Sequence, residues 1–471
     1  MQRREFLTRS VQAAVGTAMV AEGTGAQAVK ASAAKSSATK TAVKVVAKGV
    51  ELNVRDAAFG AVGDGVAKDT AALQKALDRC AVLGGGVVVL PAGKYLIGSV
   101  QLRSKTTLRL EEGVELLGSG EFGDYAVMQV RWEGMWIEGY AALIYAVDAH
   151  DLAVVGAGKI LGNESMGGRP TKDKPLRHPA LVEFLRCDGV HLQGFSTHYA
   201  RMWNVHPTCC TNVLIEGLTI RSTTGNGDGI DVDSCKHVVI RKCDIATGDD
   251  CVSLKSGRGE EGYTLAMATE DVTIEDCTFF DNIFACIGIG SETSGGIRNV
   301  KIRRCTFTGA KTFALYIKSR PGRGATIENI VCEDLDVSGM TGGFLRFNLT
   351  ASGLLGEDPV PGLAGIPQGK NFVFRNVRVK DVPVLVDGSS VHPLKMLEGL
   401  VLENITGTCK KGIGLANARG VVIHGVHVTG FEGPLLSTSN VHGVGLAGAT
   451  TVDGPKLPAE VVAPAVAYKL H

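Results

Sequence analysis

The sequence predicts an all-β fold, a single-stranded parallel β-helix with a capping helix at its N-terminal end. Three observations predict it. Segments such as "VLIEGLTI" from residue 213 and "VTIEDCTF" from residue 272 alternate apolar and polar residues, the period-two pattern of a strand with one buried face. Nine such segments begin at residues 190, 213, 238, 272, 300, 330, 372, 400 and 421, mostly 21 to 34 residues apart, the spacing of a repeat architecture. The 61 glycines among 471 residues, with 45% hydrophobic content, describe ample core material and many turns.

The elements follow in chain order. Residues 1–28, with Arg3, Arg4, Phe6, Leu7 and an alanine-rich run ending at Ala26-Gln27-Ala28, resemble a twin-arginine export signal with its cleavage site. The expected location is therefore periplasmic or secreted. A Lys/Ala/Ser/Thr stretch over 29–48 reads as a flexible linker, and 49–471 as a single catalytic domain. In "DTAALQKALDRCAVLGGG", Asp69 can cap a helix whose Leu73, Ala76, Leu77 and Cys80 share one face; this helix would cover the first coil. A propeller needs four strands and about 40 residues or more per unit, so the spacing favours a solenoid.

Charge and cysteines narrow the function. Residues 1–50 hold eight Lys/Arg against two Asp/Glu, which leaves a net −5 on the remainder and argues against nucleic acid as a partner. Cys243, Cys277 and Cys305 occupy one place in three successive units and read as a stacked interior column. Most of the 12 cysteines are expected as buried thiols, with Cys209-Cys210 the pair to inspect for a disulfide.

The chemistry centres on acids in two neighbouring turns. "TTGNGDGIDVDSC" carries Asp228, and "TGDDCVSLKSG" carries Asp249 and Asp250, 21 and 22 residues later. That separation is one repeat, so adjacent coils would bring all three carboxylates to one cleft. Acids a few Å apart resist joint ionisation, so one keeps its proton while another stays charged, as glycoside hydrolysis requires. Solvated Asx turns and a calcium site are the other readings of the same spacing.

With "IGSETSGG" and "YIKSRPGRG" following, and "FGAVGDGVAKDTAALQKAL" and "MWNVHPTCCTNVLI" preceding, the chain over roughly residues 50–430 resembles glycoside hydrolase family 28, the polygalacturonases. The resemblance implies a right-handed β-helix that hydrolyses pectic α-glycosidic bonds with inversion. It implies Asp249 as general acid and Asp228 and Asp250 as the pair that activates water, about 6.5 to 9.5 Å from the acid. For substrate binding it points to Asn204 and His206, although a histidine on an alternating strand is as often packed in the core. It also points to Lys318 and to Ser291, Glu292 and Arg320, in two segments similar to the exo-acting branch, while Lys255, two residues from Ser253 on the same strand face, is placed to approach the acids.

Two departures stand out. Phe284 and Ala285 fall where the family has a histidine, and Tyr316 replaces the arginine of an R-I-K triplet whose lysine is Lys318. A tyrosine ring in place of a guanidinium favours a sugar other than plain galacturonate, as in a rhamnose-containing or substituted pectin. The expected substrate is a pectic polymer or oligosaccharide, the expected state a monomer, and neither metal nor organic cofactor is needed. A calcium-dependent polysaccharide lyase and a non-catalytic carbohydrate-binding solenoid are the competing readings.

Overall fold

The computed structural model describes residues 49–454, save 167–169, 171, 173–174 and 354–357. The expected export signal and the whole of the linker lie outside the described residues. The alternating segments all form strands, and each pairs in parallel with the strand one coil later, in a continuous 32-stranded sheet. The chain is a parallel β-helix.

Register converts the repeat into columns. Leu152, Val190, Val213, Val238, Val272, Val300, Ile330, Phe372 and Leu400 are successive partners, all buried. A one-residue slip in any strand would turn its apolar set to solvent, so the pattern fixes the register. Cys243, Cys277 and Cys305 are buried in the interior, as expected. All 12 cysteines are free, and Cys209 is the one that is not fully buried.

Outside, a second column alternates in sign: Glu216, Arg241, Glu275, Arg303, Glu333, Arg375 and Glu403 are register partners in turn. Ion pairs join neighbours, among them Arg303–Glu275 at 2.7 Å, Arg241–Glu216 and Arg375–Glu333. Each charge from Arg241 to Arg375 thus lies between two of opposite sign.

The helix Thr70–Val82 is present, with Leu73, Ala76, Leu77 and Cys80 buried in the main core. Asp69 does not cap it through its side chain. Its carboxylate instead accepts the backbone N–H groups of Val62 at 2.7 Å and Gly63 at 3.0 Å, tying the preceding loop down.

One outer face of the solenoid matters for function. Its strands are Val205–Thr208, Ile230–Asp233, Val252–Lys255, Ile287–Ile289, Phe313–Lys318 and Gly343–Asn348, each paired with the next. Across them runs a row of partners: Asp231, Ser253, Gly288, Tyr316, Arg346 and Asp387. An antiparallel hairpin, Val127–Trp132 with Met135–Tyr140, reaches this floor with its turn, where Glu133 meets Arg258 at 3.5 Å. Arg131 at its tip reaches Asp233 at 3.1 Å. Arg177 braces both strands, donating to the carbonyls of Arg131 and Tyr140 and, at 2.6 and 2.9 Å, to both oxygens of Glu183.

Candidate active site

The turns that enter Ile230–Asp233 and Val252–Lys255 carry the acids. They are locked together by backbone bonds: Asn204 N and Nδ2 donate to the carbonyl of Asp228 at 3.0 and 2.9 Å, and Gly229 N donates to that of Asp250 at 2.9 Å. Thr247 Oγ1 and Asn282 Nδ2 both donate to the carbonyl of Asp249. Gly248 permits the close approach, since a Cβ there would lie 2.1 Å from the Thr224 carbonyl oxygen. Solenoid stacking and these bonds fix the carboxylates on a rigid frame.

Asp228, Asp249 and Asp250 each place a carboxylate oxygen within 4.8 Å of the others. The expected convergence of the three acids occurs. Adjacent coils lie only about 4.8 Å apart, and both turns point into one pocket. The pocket is lined by Glu133, Trp203, Asn226, Asp228, Asp249, Asp250, Lys255, Gly290, Ser291, Glu292, Lys318 and Gly353.

Electrostatics divide the acids. Burial, with the charges of Asp231, Asp249 and Asp250, holds the Asp228 carboxyl well above the usual carboxylate range, against the pull of Lys255. Burial and the neighbouring Asp250 push Asp249 up to about 6. Asp250 is differently placed: Lys318 Nζ donates to its Oδ2 at 2.5 Å and the Ala285 N–H to its Oδ1 at 3.3 Å. Gly288 makes that ion pair possible, because a Cβ at this position would lie 2.3 Å from Asp250 Oδ2 and 2.9 Å from Lys318 Nζ.

A second set of charges lies beneath. Lys255 Nζ is 3.3 Å from Asp231 and 3.7 Å from Glu292, with the Trp203 ring centre 4.9 Å away. Burial opposes its charge, yet Glu292, Asp231, Asp228 and Asp250 hold the ammonium well above the ordinary lysine value. Burial pushes Asp231 up to about 8 even beside Lys255, whereas Lys255, Arg323 and Arg258 overcome burial at Glu292 and bring it to about 2. Four aspartates facing two ammonium groups leave protons on some of the acids near neutral pH. That is the condition for one carboxyl to donate a proton while another accepts one.

The family model of glycosyl hydrolases family 28 matches residues 80–345. A probable polygalacturonase of Vitis vinifera is 30% identical over 371 residues, 74% of this chain and 72% of its own. The chain belongs to glycosyl hydrolase family 28. An exo-poly-alpha-D-galacturonosidase of Dickeya chrysanthemi is 25% identical over 335 residues, 58% of this chain and 53% of that protein. Among solved structures, a hyperthermoactive exopolygalacturonase from Thermotoga maritima superposes with a TM-score of 0.68 at 25% identity, covering 80% of this chain and 92% of the other.

As a family 28 glycoside hydrolase, the chain gathers Asp228, Asp249, Asp250, Lys255, Ser291, Glu292 and Lys318 in the pocket, while four expected contact residues lie elsewhere. His206 is fully buried: its Nδ1 is 2.8 Å from Glu183, its Nε2 is 2.9 Å from Thr208, and its ring packs edge-on against Trp203. Both ring nitrogens are engaged inside the wall. Asn204, also fully buried, acts on the Asp228 backbone and takes a hydrogen bond from Thr197. Arg320 turns to the Gly353 carbonyl at 2.8 Å. Tyr316 does not offer a free ring face. It is 7% exposed, with Phe284 stacked at 6.0 Å and the Arg346 guanidinium 5.3 Å from its centroid.

Asp231, Glu133, Trp203 and Gly288 were not singled out from the sequence. Asp231 had a signal, lying three residues after Asp228 on a strand whose other outward acid is Asp233. Glu133 had a signal in "RWEG" over residues 131–134, a stretch similar to the family's that reads equally as surface packing; the fold brings this hairpin to the cleft.

Proposed function

We propose that this family 28 enzyme hydrolyses α-glycosidic bonds near the end of a pectic chain. Asp249 gives its proton to the leaving oxygen, and Asp250, held by Lys318, draws the proton from the attacking water. Asp228, whose carboxyl is held well above the usual carboxylate range, is the acid that the resemblance pairs with Asp250 at that water. The observation that carries the reading is the meeting of three carboxylates within 4.8 Å with Asp249 near 6, a value at which a carboxyl both holds and releases a proton in mild acid.

The exo mode is supported by the Dickeya relative's name and by the hairpin, whose Glu133 lines the pocket and forms part of its wall. A chain end fits against such a wall better than a continuous polymer does. Absence of the family's arginine at 316 and histidine near 284 favours a rhamnose-containing or substituted sugar at one subsite. We also propose export to the periplasm or medium on the twin-arginine signal, which cell fractionation with and without Arg3→Lys and Arg4→Lys tests.

The deciding experiment offers defined pectic oligosaccharides and follows products by NMR. Release of single sugars with inverted anomeric configuration is expected. An unsaturated, ultraviolet-absorbing product lost on chelation would replace hydrolysis by a lyase reaction, since the trio could hold a cation.

A further inference from the structure

The guanidinium missing from position 316 has a counterpart one coil along. Tyr316 is the register partner of Gly288 on one side and Arg346 on the other. Phe284 lies on the Tyr316 ring at 26° to it, and the Arg346 guanidinium is 5.3 Å from that ring and 5.6 Å from that of Phe313. Asn348 Nδ2 donates to the tyrosine hydroxyl at 3.3 Å. Tyr316 is thus an inner layer, and the partly exposed groups are Phe284, toward the acids, and Arg346, beyond them.

The other cation near this position is committed. Lys318 binds Asp250 at 2.5 Å and lies 4.9 Å over the Phe284 ring. Arg346 pairs through Nε with Asp387 at 3.3 Å, in the coil on the side away from the acids. A guanidinium carries five donors in a planar fork, more than that contact uses. Successive coils are about 4.8 Å apart, so Arg346 stands about that distance further from the acids than position 316 does.

We propose that Arg346 recognises a uronate carboxylate on the second sugar beyond the cleaved bond, and that Phe284 faces the first. The substrate so selected carries no carboxylate on the first sugar and one on the second, as in an alternating rhamnose–galacturonate chain. This rests on the hydrolase reading above.

The test uses alternating rhamnose–galacturonate oligosaccharides whose second uronate is either a free acid or a methyl ester. For the parent enzyme, kcat/KM on the free acid should exceed that on the ester roughly 10- to 100-fold, mostly through KM, the size of a charge-assisted pair. Arg346→Met, which keeps an aliphatic stem over Tyr316, should erase the difference and leave the rate on the ester unchanged; Arg346→Lys should restore part of it. Equal turnover of acid and ester by the parent overturns the inference, and that comparison needs no variant to fold. An equal loss on both substrates in Arg346→Met also overturns it. If plain oligogalacturonate is cleaved and neither alternating substrate is, the inference fails while the hydrolase reading stands; no turnover of any α-linked pectic substrate ends both.

Discussion

The outer column from Glu216 to Glu403 and the cleft acids are built by the same device and have opposite consequences. In both, the solenoid places residues one repeat apart at neighbouring positions. In the column, sign alternates coil by coil, so Glu275 and Glu333 each sit between guanidinium groups and in part-exposed surroundings. In the cleft, acids from adjacent turns meet acids, burial removes water, and the proton affinities of Asp228, Asp231 and Asp249 rise. Sign order along a stack thus separates a stabilising element from a reactive one.

The comparison breaks most sharply at Asp249. Asp249→Asn is expected to lower kcat roughly 10²- to 10⁴-fold, the usual share of general-acid catalysis, with the melting temperature almost unchanged; reducing-end assays and calorimetry check the two halves. A surviving rate would remove Asp249 from the proton-donor role. In the parent enzyme the donor must be protonated, so the rate should decline as pH rises through about 6. A pH–rate profile flat from pH 5 to 8 would contradict this.

Asp231 sharpens the comparison through stability. Its folded value near 8 lies above the ordinary 3.8, so the folded state binds the extra proton. The associated stability is complete below about 4 and is lost as pH rises toward 8. Asp231→Asn cannot ionise, and its melting temperature should fall less between pH 4 and pH 8 than the parent's. An unchanged or steeper fall would show that Asp231 does not carry this term.

In the outer column, Arg303→Glu places three acids in sequence with Glu275 and Glu333. A loss of roughly 1–2 kcal/mol in denaturant unfolding is expected, with activity retained. The smallest effect belongs to Glu275→Gln, expected within about 0.5 kcal/mol because part-exposed pairs contribute little. A large activity loss in either variant would show that the column is coupled to the cleft.

Much of this was legible in the chain itself. The period-two alternation and its recurrence determined the solenoid, because a strand with one apolar face must stack on copies of itself to bury it. The one-repeat interval between Asp228 and Asp249–Asp250 determined that these acids would meet. What only the tertiary structure decided is where each side chain points and what it touches. His206 and Tyr316 have residue types suited to binding sugar, yet Glu183 and Thr208 seal the first and Phe284 and Arg346 enclose the second. Glu133 and Arg131 enter the site from a hairpin about a hundred residues upstream of the acids. Local periodicity reports which face of a strand is buried. Contacts between coils, and between a hairpin and the floor it covers, depend on distances that no stretch of sequence contains.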